Sequence, residues 1–188
     1  MPPKAKITKN MVIAAGFDIV RSDGQESLNV RSLAAKLECS TQPVMYHYKT
    51  VDELKSDIYA VADGFHTEYI MRPSSDTNPL LSIGLNYIKF AHEEKHLFRF
   101  LFQSDKFRNV GFGELINGDD TAFLLEPLVQ QTELTLDQAK TVFEALFICA
   151  HGYASLLANN SMEYNEEHCA ELLTNTFMGI IGTIKRGE

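Results

Sequence analysis

Polar and aromatic side chains are crowded into the stretch STQPVMYHYKT at residues 40–50. A helix that only filled a core would carry apolar side chains along its buried face instead. Gln can pair with adenine, Tyr and Lys can bind phosphate oxygens, and Pro can contact a thymine methyl group. The candidate contact residues are Thr41, Gln42, Pro43, Tyr46, His47 and Lys49. These residue types predict either a DNA-contacting helix or a polar surface helix with half-buried tyrosines.

Two helices are predicted ahead of this stretch, because apolar residues recur there with helical spacing. The two apolar stripes comprise Val12, Ala15, Gly16, Ile19 and Val20, and then Val30, Leu33, Ala34 and Leu37. Gly24 can end the first helix, and Asn29 is a suitable N-cap for the second.

A short third helix is expected from Ser40 or Thr41 to about Tyr48, since Pro43 is acceptable in a first helical turn. Val44, Met45 and Tyr48 can pin this helix to the first two. The sequence TVDE at 50–53 is a capping box that opens a longer fourth helix, in which Glu53 is expected to bind the N–H of the cap residue. Two short helices separated by a three-residue turn are the layout of a helix-turn-helix, whose second short helix enters the DNA major groove.

Charge is distributed unevenly along the 188 residues. The chain has a net charge of −8, but residues 1–55 contain eight basic and six acidic residues. An N-terminal part that is basic relative to an acidic remainder is consistent with an anionic partner there, although the excess is small.

Residues 7–59 resemble the DNA-binding domain of the TetR family of transcriptional repressors. The resemblance rests on VIAAGFDIVRSDG at 12–24, LNVRSLAAKLECS at 28–40 and PVMYHYKTVDELKSDIY at 43–59. It implies that Gln42 and Pro43 face bases and that Tyr46 and Lys49 bind phosphate.

The resemblance also implies contacts to the DNA backbone from the first turn of the second helix, at Asn29, Val30 and Arg31. The basic segment PPKAKITK resembles an N-terminal arm of some family members. The junction between the third and fourth helices is one residue shorter than is usual in the family. We expect Tyr48 to take the buried aromatic position there, which leaves the role of His47 open.

The remainder of the chain is expected to be helical as well, so the predicted fold is all-α. We assign residues 1–50 to a helix-turn-helix domain, 51–71 to a connecting helix, and 72–188 to an effector-binding and dimerisation domain. Asn78 with Pro79 and Thr135 with Gln138 predict two further helix starts, and NVGFGELINGDD at 109–120 predicts a loop.

The last helix is apolar on two faces, which requires a partner for the face that its own chain does not cover. A second copy of the chain is the expected partner, and family dimers pair their last two helices. The predicted interface residues are Phe177, Ile180, Ile181 and Ile184. A monomer with a fully covered last helix is the alternative.

Aromatic residues of the C-terminal part are candidates for an effector pocket, because family members hold small ligands in this region. The candidates are Phe65, Tyr69, Phe102, Phe123, Phe147 and His151, and ordinary core packing is the alternative. Histidines are scattered without metal-ligand spacing, and no GxSxG or Gly-rich phosphate motif is present, so we expect no metal, cofactor or enzymatic activity.

Three cysteines without CxxC spacing indicate a reducing compartment. The N-terminus lacks an apolar signal segment, and the run LFICA at 146–150 is too short to span a membrane, so a cytoplasmic location is expected. The sequence therefore predicts a ligand-responsive repressor that binds a palindromic double-stranded operator as a homodimer. The alternative is a helical ligand-binding module or co-regulator without operator recognition.

Overall fold

A computed structural model describes residues 7–73, 78–104 and 122–187. Every regular element in these ranges is a helix, as the sequence predicts, and the chain divides into two compact units. Unit 1 combines Met1–His66 with Glu94–Ser104, and unit 2 combines Thr67–Glu93 with Asp105–Glu188.

The first two helices of unit 1 each begin at a cap residue whose side chain accepts from a backbone N–H of the first turn. Thr8 caps the first helix, and Asn29 caps the second, as predicted. The helices are α1 (Lys9–Asp23), α2 (Val30–Lys36), α3 (Thr41–Met45), the part of α4 (Val51–Ile70) up to His66, and α6 (Lys95–Phe102), with a 3₁₀ turn at Gln25–Ser27.

The core of unit 1 takes one fully buried side chain from each of α1, α2, α3 and α4. Val12, Leu33, Val44 and Ile58 are fully buried there. A Cβ atom at Gly16 would lie 2.3 Å from Cδ1 of Ile58, so any larger residue there would require the Ile58 side chain to move.

The end of α1 is tied to the start of α6 within the same unit. Nε of Arg21 donates to Oε2 of Glu94 at 2.8 Å, and a second guanidinium nitrogen pairs with Oε1. The hydrogen bond to Glu94 raises the pKa of Arg21, which favours the charged form. The guanidinium also lies 5.0 Å from the ring centre of Phe65.

Unit 2 is a set of helices packed mainly on α8. It contains the end of α4, α5 (Pro79–Glu93), α7 (Ala122–Thr132), α8 (Leu136–Ala158) and α9 (Glu166–Arg186). Thr135 and Gln138 form the predicted capping box, in which each side chain accepts from the other residue's backbone N–H. The predicted loop at 109–120 lies outside the described residues.

One helix in the described part of the chain, α8, is long and apolar enough to cross a membrane. Length and composition alone do not separate such a span from a core helix, and 39% of its most apolar window is buried. Ala139, Val142 and Phe143 of α8 belong to a core cluster that also contains Leu125 and Leu128 of α7.

A candidate nucleic-acid interface

A tight turn between α2 and α3 sets the direction of α3. Leu37 caps the end of α2, and Glu38 adopts the left-handed backbone conformation with φ 50°. The N–H groups of Glu38 and Cys39 then bind the carbonyl oxygens of Ala35 and Ala34. These bonds satisfy two of the last carbonyl groups of α2, and α3 starts at Thr41, five residues after α2 ends.

The two faces of the α3 region differ sharply in exposure. Val44 and Tyr48 are buried, whereas Thr41, Gln42 and Lys49 are exposed. Tyr46 is 86% exposed, which is unusual for so large a side chain. Pro43 and His47 are half-buried.

Tyr48 occupies the buried aromatic position, as predicted from the short junction. Its hydroxyl donates to Oδ2 of Asp57 in α4 at 2.8 Å, and Nζ of Lys9 binds the same oxygen at 2.7 Å. Burial, supported by the bond to Asp57, raises the pKa of Tyr48, so this hydroxyl keeps its proton. The contacts fix the segment after α3 against both α1 and α4.

Two predictions about α3 are wrong. The helix ends at Met45 instead of near Tyr48, and Met45 is 40% exposed rather than packed on α1 and α2. Val44 and Tyr48 already fill the space that faces the core, which leaves Met45 on the outer side.

His47 is held by the segment that precedes α1. Its Nε2 lies 2.9 Å from the carbonyl oxygen of Ile7. Because a carbonyl oxygen only accepts, Nε2 carries the proton and donates it to Ile7. The structure thus gives the His47 ring a contact inside unit 1.

The cap of α4 holds the backbone of Lys49. The N–H of Glu53 binds Oγ1 of Thr50 at 3.2 Å, as predicted. The Glu53 carboxylate accepts from the N–H of Lys49 at 2.9 Å, one residue before the predicted partner. The Lys49 side chain extends from a fixed backbone as a result.

Four basic residues of unit 1 differ in whether they are paired within the fold. Lys9 and Lys36 are paired with Asp57 and Asp18, at 2.7 and 3.3 Å respectively. Within the described residues Arg31 and Lys49 form no ion pair, and both are exposed. Their charges are therefore available to an anion such as a phosphate group.

The start of α2 uses Asn29 within the fold. Oδ1 of Asn29 accepts from the N–H groups of Arg31 and Ser32, both at 3.0 Å, and its Nδ2 donates to the carbonyl of Ser27. The neighbouring Val30 is half-buried. Among Asn29, Val30 and Arg31, the three residues predicted to contact DNA here, Arg31 is the one with an exposed charge.

The predicted effector residues fall into both units. In unit 1, Phe65 contacts Phe17 and Arg21, and Phe102 contacts His66. In unit 2, Tyr69 is buried, its hydroxyl binds Glu93, and its ring contacts Phe90. The side chain of Phe123 lies outside the described part of the chain.

The structure does bring Phe147 and His151 together. Their rings stack with centres 5.6 Å apart, and Nδ1 of His151 lies 2.8 Å from the hydroxyl of Tyr87. Burial lowers the pKa of His151 and raises that of Tyr87, so both rings are neutral at pH 7. Tyr87 was missed because nothing in the sequence connects α5 with α8.

A separate apolar cavity of about 100 Å³ lies in unit 2. It is much smaller than the roughly 300–1,000 Å³ typical of ligand pockets. None of the predicted effector residues lines it. The lining residues are Met71, Asn78, Pro79, Leu80, Ile83, Leu124, Leu128, Gln131 and Phe177.

The four predicted interface residues of α9 are half-buried. Phe177, Ile180, Ile181 and Ile184 pack against the core cluster of their own chain. Besides Leu136 at the start of α8, the large apolar side chains that α8 and α9 leave exposed are Ile148, Leu156 and Met178. None of these three was predicted from the sequence, although Ile148 and Leu156 are eight residues apart on one side of α8.

Exposed glycines accompany these three side chains. A Cβ atom at Gly152 or at Gly179 would meet no other atom within 4 Å. Sγ of Cys149 lies 3.6 Å from Oγ1 of Thr176, so α8 and α9 run side by side at this level. We call these exposed residues of α8 and α9 together the outer stripe, which comprises Ile148, Gly152, Leu156, Met178 and Gly179.

Comparison with known proteins identifies the fold. No protein-family model and no curated protein sequence matches the chain. Among solved structures, the chain is similar to the crystal structure of a TetR-like transcriptional regulator from Rhodococcus sp. RHA1. The TM-score is 0.64 at 19% sequence identity, over 93% of this chain and 96% of that chain. The chain therefore has the all-α fold of TetR-like regulators. Its described residues contain no group of three His, Cys, Asp or Glu residues that could hold a metal ion.

Proposed function

We propose that the protein is a ligand-responsive transcriptional repressor that binds a palindromic DNA operator as a homodimer. The observation that carries this proposal is the outer face of α3. There Thr41, Gln42 and Tyr46 are exposed above the buried Val44, and Lys49 lies just beyond them. A short helix with polar side chains outward and an apolar anchor inward is suited to the major groove.

The residues of this face fall into two groups, those that would read bases and those that would bind the phosphate backbone. Gln42 can pair with adenine through its amide, while Thr41 and Pro43 lie beside it in the first turn of α3. Phosphate oxygens can be bound by the hydroxyl of Tyr46 and by the charges of Lys49 and Arg31. Such contacts would fix the register of the helix in the groove.

A symmetric dimer would make the operator a palindrome. The outer stripe offers apolar side chains next to glycines, and such a surface allows two helices to approach closely. A twofold axis through this surface relates two copies of α3. Their half-sites must then be about 34–36 Å apart, or a multiple of one helical turn.

Unit 2 is the proposed site of the ligand signal. Tyr87, Phe147 and His151 supply neutral aromatic and polar groups, as ligand sites commonly do. The single helix α4 contributes residues to both units, so a ligand that displaces it would change the spacing of the recognition helices. A ligand that binds more tightly to the form with altered spacing lowers the affinity for DNA. By linkage, bound DNA lowers the affinity for that ligand by the same factor.

The structural neighbour is a TetR-like transcriptional regulator, which supports a role in regulation rather than in catalysis. A regulator of this kind would act in the cytoplasm, the location expected from the sequence.

Capture of genomic fragments by the full-length protein at physiological salt tests the proposal. Enrichment of fragments that share one short inverted repeat is the expected result. Salt-sensitive capture without sequence preference would instead support a helical ligand-binding module or co-regulator.

A further inference from the structure

Met45 is the last residue of α3 and is 40% exposed. Isolated exposed apolar side chains are common on protein surfaces, so exposure alone indicates nothing. The position of Met45 is the informative feature, because the same short helix carries the polar groups proposed to contact DNA.

Helix geometry places Met45 next to those groups. It follows Gln42 by three residues and Thr41 by four, and residues with this spacing share one helix face. Long side chains in helices also lean towards the preceding turn. In this usual orientation a side chain at Met45 extends over the turn that holds Thr41 and Gln42, both of which are exposed.

The chemistry of the side chain limits what it can contact. A thioether carries no N–H or O–H group and no charge, so it cannot serve as a phosphate ligand. In the major groove, the apolar group that distinguishes one base pair from another is the C5 methyl of thymine. Pro43, the residue predicted for this contact, is half-buried, whereas Met45 is more open.

We propose that Met45 reads a thymine methyl group in each half-site, beside the base read by Gln42. This inference rests on the proposed function, since it requires α3 to lie in the major groove. Methionine is flexible and unbranched, so its side chain can adjust to contact the methyl group without a strictly defined distance between backbone and base.

Removal of a single methyl group from DNA tests the assignment. Duplexes would first be enriched from a random pool by the full-length wild-type protein. Each thymine of an enriched duplex would then be replaced by deoxyuridine, which lacks only the C5 methyl. At one position per half-site we expect the wild-type affinity to fall about fourfold, the effect of one buried carbon. Met45→Ala should bind the thymine and deoxyuridine duplexes equally at that position.

Two variants serve as controls. Met45→Leu keeps an apolar side chain and should retain the methyl sensitivity. Met11→Ala removes a methionine of equal exposure, 40%, from α1 and should also retain it. Thermal unfolding of each variant verifies that its fold is intact.

The possible outcomes distinguish a failure of this inference from a failure of the proposed function. Full methyl sensitivity in Met45→Ala, or its loss in Met11→Ala as well, would overturn the role of Met45. Wild-type protein that is insensitive at every thymine would do the same. Failure of the wild-type protein to enrich any sequence would contradict the proposed function itself.

Discussion

Nε2 of His47 donates a hydrogen bond to the carbonyl oxygen of Ile7, 2.9 Å away and 40 residues earlier in the chain. The bond joins the segment after α3 to the residue that precedes the N-cap of α1, Thr8. We therefore expect His47 to act on the proposed interface by positioning, since its proton-bearing nitrogen is already engaged within the protein.

Replacement of His47 by Ala should lower the free energy of unfolding by about 1 kcal/mol, the usual contribution of one hydrogen bond. His47→Gln retains an N–H donor and should recover part of the loss. Base preference, measured by selection from a random duplex pool, should remain that of the wild-type protein in both variants. A change in preference at one operator position with unchanged stability would show that His47 reads a base.

Lys49 and Gln42 should have separable effects on DNA binding. Lys49→Ala removes a phosphate contact, so affinity should fall for all sequences. The slope of log affinity against log salt concentration should also become shallower by about one unit. Gln42→Ala should relax preference at one position per half-site, at a cost of roughly 1–3 kcal/mol. Fluorescence anisotropy with operator and random duplexes at several salt concentrations measures both effects. Equal losses on specific and random DNA in both variants would mean that the orientation of α3 is misassigned.

The outer stripe can be tested without damage to the core. Ile148→Asp places a charge where a second copy would cover an apolar side chain, and it should dissociate the dimer in sedimentation experiments. Ile148 is 55% exposed, so its replacement should leave the stability of the single chain almost unchanged. Leu136→Asp is a matched control, since Leu136 is 53% exposed on the same helix but lies outside the stripe. An Ile148→Asp protein that sediments like the wild type would exclude this surface as the interface.

The α9 residues predicted from the sequence give a contrasting test. Ile181 is half-buried against the core of its own chain, so Ile181→Asp should lower stability as well as any dimer affinity. Chemical denaturation separates this result from that of Ile148→Asp.

His66 should make the fold sensitive to mild acid. It is buried in unit 1, and burial lowers its pKa to about 4, whereas an unfolded chain protonates histidine near pH 6.5. The stabilising contribution of the neutral ring is complete above pH 6.5 and is lost as pH falls towards 4. The full loss is roughly 3 kcal/mol.

Denaturation of the wild-type protein and of His66→Leu across this pH range measures the effect. The difference between them isolates His66, because all other titrating groups are common to both proteins. Parallel profiles would show that His66 does not titrate differently in the folded and unfolded chains.

Local signals in the sequence were sufficient to locate most helix starts. The Asn29 cap and the capping box of Thr135 and Gln138 involve groups within three residues of each other. Such contacts form wherever a helix begins, and tertiary packing does not have to be known.

Packing determined the features that the sequence did not predict. Met45 is apolar, but Val44 and Tyr48 occupy the core positions around it, and only the folded unit shows which side chains fit there. The contact between His47 and Ile7, and that between Tyr87 and His151, join residues far apart in the chain. Hydrophobic periodicity in the sequence does not reveal contacts between residues so far apart.

Footprinting on an enriched genomic fragment tests the central claim most directly. The full-length protein should protect two half-sites related by twofold symmetry, with centres about 34–36 Å apart or a multiple of one turn. Gln42→Ala should weaken both half-sites together, because symmetric copies of α3 read them. Uniform protection along the fragment, or a single protected site without a symmetric mate, would contradict the account.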